Sequence, residues 1–461
     1  MLFNSPRFAI FYAAVFTLFY IVPVSWRKWL LLLASYFFYM SWNYRFILLL
    51  LGLTVTDYVA GILIERQSQP RARRAALILS VAANLGFLGF FKYYNFLAGM
   101  VAQASGRPVD FFLLHIVLPI GISFHTFQSI SYVVDVYRRE QRAVRNFLDY
   151  ALFLAFFPQL VAGPIVRSRN FFHDLHRWKA PSSVEAQSAV FQIAIGLFNK
   201  IVLADQFAPI ADSYFSNVAA HPGLLDAWSG TFAFAMQIYF DFAGYTSIAI
   251  GCALLLGFRF PVNFRRPYLA SSVTEFWRRW HISLSQWLRD YLYVPMGGNR
   301  RGAFRTYRNL AVTMLLGGLW HGASWNFLIW GGYHGGLLAA ERALKGPMKL
   351  PRLPVPLSTA FTFALVLIGW VFFRAKTLHD SGLVLRALIS STRGTWQIPA
   401  PLMWMVFGTF VLACMEERWD FFERLWSAPA WVRTAALVVL MLSIELFGVT
   451  EAAVPFVYFQ F

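Results

Sequence analysis

Long apolar stretches separated by short basic loops constrain this chain more than any other feature of its sequence. Residues 8–23, 46–64 and 431–449 are three such stretches, and each approaches the roughly 17–25 residues that a helix needs to cross the hydrocarbon of a bilayer. Of the 461 residues, 58% are hydrophobic and only 13% are charged, which is far too apolar for a soluble protein of this length. Because a backbone in lipid must satisfy its own hydrogen bonds, the sequence predicts an all-α polytopic membrane protein.

The basic residues indicate how the chain is oriented. The formal net charge is +18, and basic clusters at 27–28, 65–74 and 137–145 fall on one face if the apolar stretches cross in alternation. Short loops rich in Lys and Arg stay in the cytoplasm, so we expect both termini to be extracytoplasmic. Since the basic residues are confined to such loops, a nucleic-acid partner is not expected.

The chain shows no internal repeat or linker, so residues 1–461 are predicted to form a single membrane-embedded domain. Two stretches within it are predicted to bend back or break inside the membrane. Residues 146–163 lie between two basic loops, and Pro158 or Gly163-Pro164 is the expected break. Residues 309–330 are rich in glycine and are soon followed by further basic residues, which favours a bent or broken pair of helices. Such irregular backbone is tolerated at membrane depth where protein or a water-filled cavity covers it.

A strongly basic segment occupies residues 258–308, where ten arginines face only two acidic residues. On a continuous helix, one face of this segment would carry Trp277, Trp280, His281, Leu284 and Leu288. Arg278, Arg279 and Arg289 would reach phosphate groups or lipid headgroups. An interfacial amphipathic helix explains these residues as well as a nucleotide site does, so both interpretations stay open.

His321 lies in an apolar stretch, Leu-Leu-Gly-Gly-Leu-Trp-His-Gly-Ala-Ser-Trp. Polar or ionisable residues inside a membrane span are costly and are functional candidates for that reason. A neutral histidine bonded to a backbone carbonyl would hold two helices together. A neutral histidine in a dry site is also suited to remove a proton from a hydroxyl, and we favour this catalytic interpretation.

The sequence ends in Pro-Phe-Val-Tyr-Phe-Gln-Phe, which contains Tyr458. A hydroxyl on a short apolar tail could accept an acyl group and pass it on. On residues alone, however, aromatic anchoring at the outer membrane interface is the favoured interpretation.

Several other ionisable residues fall within apolar stretches, namely Asp57, Lys92, Lys200 and Asp241. For each we expect pairing within the helix bundle, and for His125 a place in the core. The two cysteines, Cys252 and Cys414, are far apart. His173 and His176 are too few to form a zinc site, which usually needs three or four protein ligands, so no metal is expected.

Five motifs in order resemble the membrane-bound O-acyltransferase (MBOAT) family, most closely the bacterial branch that acetylates alginate and related polysaccharides. They are Leu-Pro-Ile-Gly-Ile-Ser-Phe-His-Thr-Phe-Gln (118–128), Phe-Phe-Pro-Gln-Leu-Val-Ala-Gly-Pro-Ile-Val-Arg (156–167), Gln-Ile-Tyr-Phe-Asp-Phe-Ala-Gly-Tyr (237–245), Phe-Trp-Arg-Arg-Trp-His-Ile-Ser-Leu (276–284) and Leu-Trp-His-Gly-Ala-Ser-Trp (319–325). The resemblance implies a ring of about ten or more helices, some of them re-entrant, around a central tunnel. It also implies that His321 is the tunnel histidine and that His281 occupies a second polar position on the cytoplasmic side.

The resemblance further implies that an acyl group, most simply acetyl, is taken from a cytoplasmic thioester and exported for O-acetylation of an extracytoplasmic polysaccharide. Acetyl-CoA is the expected donor substrate, no cofactor is expected to stay bound, and donor binding is assigned to Arg278, Arg279, Arg289 and Trp280. Tyr458 matches a tail motif proposed as an acyl relay. The expected location is the bacterial inner membrane, with membrane lipid and an extracytoplasmic acetyltransferase as partners.

Three alternatives remain open from the sequence. The acceptor could be peptidoglycan or another glycan instead of alginate. Buried polar groups and broken helices are also features of transporters, although no inverted repeat is found and the basic segment would stay unexplained. The chain could also be a non-catalytic assembly subunit, in which case His321 would be dispensable for polysaccharide acetylation.

Overall fold

A computed structural model describes residues 1–160, 163–345, 353–449 and 454–459 of the chain, with the backbone alone at Lys345 and Phe459. These residues form helices and no β-strand, which confirms the predicted fold class. The α-helices are α1 Pro6–Ile21, α2 Val24–Met40, α3 Phe46–Arg66, α4 Pro70–Leu88, α5 Tyr94–Ala104, α6 Ile122–Tyr137, α7 Phe147–Ala155, α8 Phe157–Leu160, α9 Ser168–His176, α10 Ser183–Leu197, α11 Asp205–Ser216, α12 Leu224–Leu255, α13 Val273–Arg279, α14 Ile282–Leu288, α15 Ala303–His321, α16 Trp325–Lys345, α17 Val355–Arg374, α18 Leu378–Ala387, α19 Ala400–Trp419, α20 Phe421–Ser427 and α21 Ala430–Phe447.

Seven helical segments among the described residues are long and apolar enough to cross a membrane. They are Phe46–Arg66, Pro70–Ala104, Ser183–Ser216, Leu224–Leu255, Val355–Arg374, Ala400–Trp419 and Ala430–Phe447, and the shorter Pro6–Ile21 is apolar as well. The predicted ring of helices and its tunnel stay predictions.

Two of the long segments contain a π-helical turn. Gly89–Tyr93 joins α4 to α5, and Phe198–Ala204 joins α10 to α11. Such wider turns are rare and are frequent at functional sites. The second turn carries Lys200, which is fully buried.

Contacts within the chain define two compact units. One comprises Met1–Ala189 with Ala249–Pro261, and the other comprises Val190–Ile248 with Val262–Phe461. The prediction of a single domain over residues 1–461 stays a prediction.

In the first unit, α2, α3, α4, α6 and α7 pack on one another. Asp57 of α3 accepts hydrogen bonds from Ser80 at 2.6 Å and Asn84 at 2.7 Å, which confirms its predicted pairing within the bundle. Helix α6 begins only at Ile122, after Gly121 with a φ of +75°. The helix breaks at Phe156, between α7 and α8, and Pro158 lies within α8. The predicted break at Gly163-Pro164 is confirmed, because α8 ends at Leu160 and both residues lie outside the helices.

In the second unit, α15 and α16 form a helical hairpin that breaks between His321 and Trp325, as the glycine-rich sequence predicts. The helices approach so closely that a Cβ atom on Gly318 would lie 2.2 Å from the carbonyl oxygen of Phe327. A Cβ atom on Gly331 would lie 2.3 Å from the carbonyl oxygen of Met314. Small residues permit this kind of close helix contact in membrane proteins, and here they fix the position of His321 at the end of α15.

Candidate functional site

The basic segment does not form the continuous helix that its spacing suggests. Helix α13 ends at Arg279, Trp280 is extended, and His281 has a left-handed backbone with a φ of 40°. Backbone hydrogen bonds explain the break, because Ile282 donates to the carbonyl of Asn263 and Arg265 donates to that of Arg279, both at 2.9 Å. The predicted shared face from Trp277 to Leu288 is therefore wrong.

The break fixes the side chain of His281. Its Nδ1 lies 3.2 Å from Oδ1 of Asn263, which also accepts hydrogen bonds from the backbone N–H and the hydroxyl of Ser283 at 3.1 and 2.9 Å. Since a backbone N–H can only donate, the shared atom is an oxygen, and Nδ1 must carry the proton. Nε2 then has the lone pair. Burial lowers the pKa of His281 to about 3, so the ring is neutral at physiological pH.

His321 is the last residue of α15 and is buried, with 5% of its surface exposed. Its ring contacts those of Trp320, Trp330 and Phe373 at centroid distances of 4.9, 5.0 and 5.1 Å. A fourth neighbour is Tyr458, at 5.7 Å. The residue therefore lies in an aromatic environment formed by α15, α16, α17 and the tail of the chain.

The two histidines and Tyr458 belong to one aromatic cluster. The ring of Phe242 on α12 lies 4.7 Å from that of His281 and 4.4 Å from that of Tyr458. The ring of Trp320 contacts both histidine rings, at centroid distances of 6.0 Å from His281 and 4.9 Å from His321. We call these five residues the histidine–tyrosine cluster. The structure thus brings together all three residues that the sequence singled out for catalysis.

The residues predicted to bind the donor lie in different environments. Arg278 and Arg289 are exposed, and Arg289 forms an ion pair with Asp290 at 2.7 Å. Trp280 is 1% exposed and packs in the core against Trp370 at 4.9 Å.

Arg279 is bound to acidic neighbours on α13 and α19. Its guanidinium lies 2.5 Å from Glu275 and 2.8 Å from Glu417. Burial alone would raise the pKa of Glu275, but hydrogen bonds from Ser271 and Arg279 outweigh that effect and lower its pKa below the usual value. Arg279 therefore has carboxylate partners of its own, whereas Arg278 beside it faces solvent.

Sequence reasoning missed Asn263 and Phe242. Asn263, which hydrogen-bonds to His281, is 18 residues away from it along the chain. Phe242 is one of 48 phenylalanines. Neither residue type marks a site by itself. Among the described residues, no group of three or more His, Cys, Asp or Glu side chains could hold a metal ion.

Buried histidines and a tyrosine grouped around aromatic rings define a helical membrane protein with a potential acid–base site. The chain belongs to the membrane-bound O-acyltransferase family, whose sequence model matches residues 136–377. This confirms the resemblance seen in the motifs, and the protein is an integral membrane acyltransferase.

Curated relatives extend the similarity over most of the chain. A probable alginate O-acetylase AlgI of Pseudomonas aeruginosa is 46% identical over 427 residues, which cover 90% of this chain and 80% of that protein. A probable alginate O-acetylase AlgI of Pseudomonas putida is 40% identical over an alignment that covers 100% of both chains. A peptidoglycan O-acetyltransferase of Helicobacter pylori is 38% identical, with 84% of this chain and 80% of that protein covered.

Proposed function

We propose that the protein takes an acyl group, most simply acetyl, from a cytoplasmic thioester and exports it for O-acetylation of an extracytoplasmic polysaccharide such as alginate. The two AlgI relatives, at 46% and 40% identity, support alginate as the polysaccharide. The peptidoglycan O-acetyltransferase, at 38% identity, keeps peptidoglycan as the second candidate.

The observation that carries the proposal is the position of Tyr458 beside His321, with 5.7 Å between their rings. In the proposed reaction, His321 removes the proton from the phenol as its oxygen attacks the thioester carbonyl. The tetrahedral intermediate expels the thiolate, which takes up the proton as thiol. The acyl group then remains on Tyr458 as an ester until an acceptor hydroxyl replaces the phenol.

His281 would assist through Phe242, whose ring lies 4.7 Å from that of His281 and 4.4 Å from that of Tyr458. Nδ1 of His281 donates a hydrogen bond to Asn263, so the lone pair of the neutral ring is on Nε2. Proton transfer by His321 would allow the phenol proton to leave during attack, with a proton returned when the ester is cleaved.

The donor in this proposal is acetyl-CoA, a substrate and not a bound cofactor. Arg278, Arg279 and Arg289 would meet its phosphates, since the guanidinium group suits phosphate geometry, and Trp280 would support that site. A donor held at the cytoplasmic face never has to move its phosphates through hydrocarbon. The proposal therefore includes a location in the bacterial inner membrane, with both termini extracytoplasmic, membrane lipid around the chain, and an extracytoplasmic acetyltransferase that receives the acyl group.

The test uses purified full-length protein incubated with acetyl-CoA that carries a labelled acetyl group, followed by peptide mass spectrometry. We expect label on Tyr458 in the wild-type protein and a loss of labelling of about 100- to 10,000-fold in His321→Ala, the range for removal of a general base. His125→Ala is the matched control, because His125 is a buried histidine of the other compact unit. An active preparation without label on Tyr458 would rule out the relay. Full polysaccharide acetylation by His321→Ala in cells would instead support a non-catalytic role.

A further inference from the structure

We propose that a buried ion cluster of Lys200, Asp205 and Asp241 is the docking site for the tail of the chain, residues 454–459. Asp241 is then a positioning residue that holds Tyr458 beside His321. The inference rests on the proposed relay for its role in the reaction, but the docking itself is a separate claim.

The ion cluster is compact and almost completely buried. The ammonium group of Lys200 lies 2.7 Å from Oδ1 of Asp205 and 3.0 Å from Oδ1 of Asp241. None of the three residues is more than 3% exposed. Lys200 comes from the π-helical turn, Asp205 begins α11, and Asp241 lies within α12.

The charges of this cluster do not balance. One ammonium faces two carboxyl groups, and a buried carboxylate is costly unless it is paired and hydrogen-bonded. The tail supplies a donor, because the backbone N–H of Val457 donates to Oδ2 of Asp241 at 2.6 Å. Hydrogen bonds to an ionised acceptor are about twice as strong as neutral ones. The docked tail therefore satisfies the carboxyl oxygen that does not face Lys200.

Aromatic packing places the tail on the same surface of α12. The ring of Phe456 lies 4.5 Å from that of Tyr245 and 5.6 Å from that of Phe242. Tyr245 is one helical turn after Asp241, and its ring lies 5.9 Å from the ammonium group of Lys200. The ion cluster and the aromatic packing thus act on neighbouring residues of the tail.

The π-helical turn and the first turn of α11 also bind the chain where it leaves α21. The N–H of Val449 donates to the carbonyl of Ile201 at 2.9 Å, and Gln206 donates to the carbonyl of Phe447 at 2.9 Å. The segment before the tail is therefore tied to the same turn that provides Lys200. Release of Val457 from Asp241 would free Tyr458 while this first attachment remains.

The most direct test removes the backbone N–H of Val457, which donates the hydrogen bond to Asp241. Val457 is the first residue of a 3₁₀ turn, and proline, which has no N–H, is tolerated at the first position of a helical turn. Val457→Pro therefore deletes the hydrogen bond to Asp241, whereas the control Val457→Ala keeps the N–H and loses only side-chain packing. A second pair is Asp241→Leu, which removes the acceptor, and Asp241→Asn, which keeps an acceptor oxygen of the same size.

Two measurements are made on each full-length variant. Hydrogen–deuterium exchange of the peptide that contains residues 454–459 reports docking and requires no substrate. Acyl transfer from acetyl-CoA reports the positioning of Tyr458. For Val457→Pro and Asp241→Leu we expect at least about tenfold faster exchange and a fall in kcat of about 100-fold, the effect of misplacing a reacting group by about 1 Å. The KM for acetyl-CoA should stay the same. Asp241→Asn should keep tail exchange and kcat close to the wild-type values.

The outcomes separate the two claims. Tail exchange as slow in Val457→Pro and Asp241→Leu as in the wild type would overturn the docking site. A released tail with wild-type acyl transfer would confirm docking and overturn both the positioning role of Asp241 and the relay. If wild-type protein never acquires label on Tyr458, the proposed relay fails, and the exchange data still decide whether Asp241 docks the tail.

Discussion

Oδ1 of Asn263 lies 3.2 Å from Nδ1 of His281 and accepts two further hydrogen bonds from Ser283. This arrangement selects one tautomer of a histidine whose backbone is in the left-handed region, with a φ of 40°. Such conformations are uncommon for residues other than glycine and persist where the surroundings hold them. Asn263 is therefore expected to influence the reaction through His281.

Replacement of Asn263 by leucine should reduce kcat for acyl transfer by about 10- to 100-fold, as expected for a residue that orients a functional histidine. The KM for acetyl-CoA should change little, because Asn263 faces His281 and Ser283. Steady-state kinetics of the purified variant check this. A wild-type kcat in Asn263→Leu would show that the tautomer of His281 does not matter.

Asn263→Asp should shift the pH dependence of acyl transfer. A carboxylate at this position would raise the pKa of His281 from its value of about 3, because a nearby negative charge favours the protonated ring. If the neutral ring is the active form, activity falls as the pH drops through this pKa, so the acidic limb of the profile should move to higher pH. Profiles of kcat for the wild type and variant give the shift. An unchanged acidic limb would contradict a role for neutral His281.

The two neighbouring arginines of α13 should differ in their effect on the donor. Arg278 is exposed, whereas Arg279 pairs with Glu275 and Glu417 at 2.5 and 2.8 Å. Arg278→Ala should raise the KM for acetyl-CoA by about tenfold or more, corresponding to a lost charged hydrogen bond of about 1.5–3 kcal/mol.

Arg279→Ala is the matched variant for Arg278→Ala. It should raise the KM less and lower the thermal stability more, since it leaves Glu275 and Glu417 without this partner. Comparison of KM values with melting temperatures separates the two effects. The reverse order of KM values would make Arg279, and not Arg278, the stronger phosphate contact.

The sequence predicted the parts of the site that follow from local pattern. A histidine among glycines in an apolar stretch predicted the break after α15 and marked His321 as a candidate residue. The sequence could not predict the break at His281, because Asn263 and Arg265 compete for the backbone hydrogen bonds of a helix that spacing alone would continue. Nor could it predict that Val457 donates to Asp241, since the two residues are 216 positions apart and a buried carboxyl group had several possible partners.

The environment of Tyr458 could not be predicted from the sequence either. On residues alone, its aromatic tail is predicted to anchor the chain at the membrane interface. The structure instead places its ring 4.4 Å from Phe242 and 5.7 Å from His321. Aromatic residues suit an interface and a buried cluster equally well, so only tertiary contacts distinguish the two.

Close packing of the α15–α16 hairpin gives a prediction about stability. Gly331→Ala would place a Cβ atom 2.3 Å from the carbonyl oxygen of Met314, so the helices would have to separate. Overpacking of this kind costs about 1–3 kcal/mol, and we expect a clear fall in melting temperature. Because His321 ends α15, acyl transfer should fall as well.

Gly336→Ala is the control for this variant, because it lies on the same helix with no other heavy atom within 4 Å of the added Cβ. Alanine favours helix over glycine by about 1 kcal/mol, so the control should melt at the same temperature as the wild type or higher. Thermal unfolding of both variants in one detergent measures the difference. If Gly331→Ala were as stable and active as Gly336→Ala, the close approach of α15 and α16 would not be what positions His321.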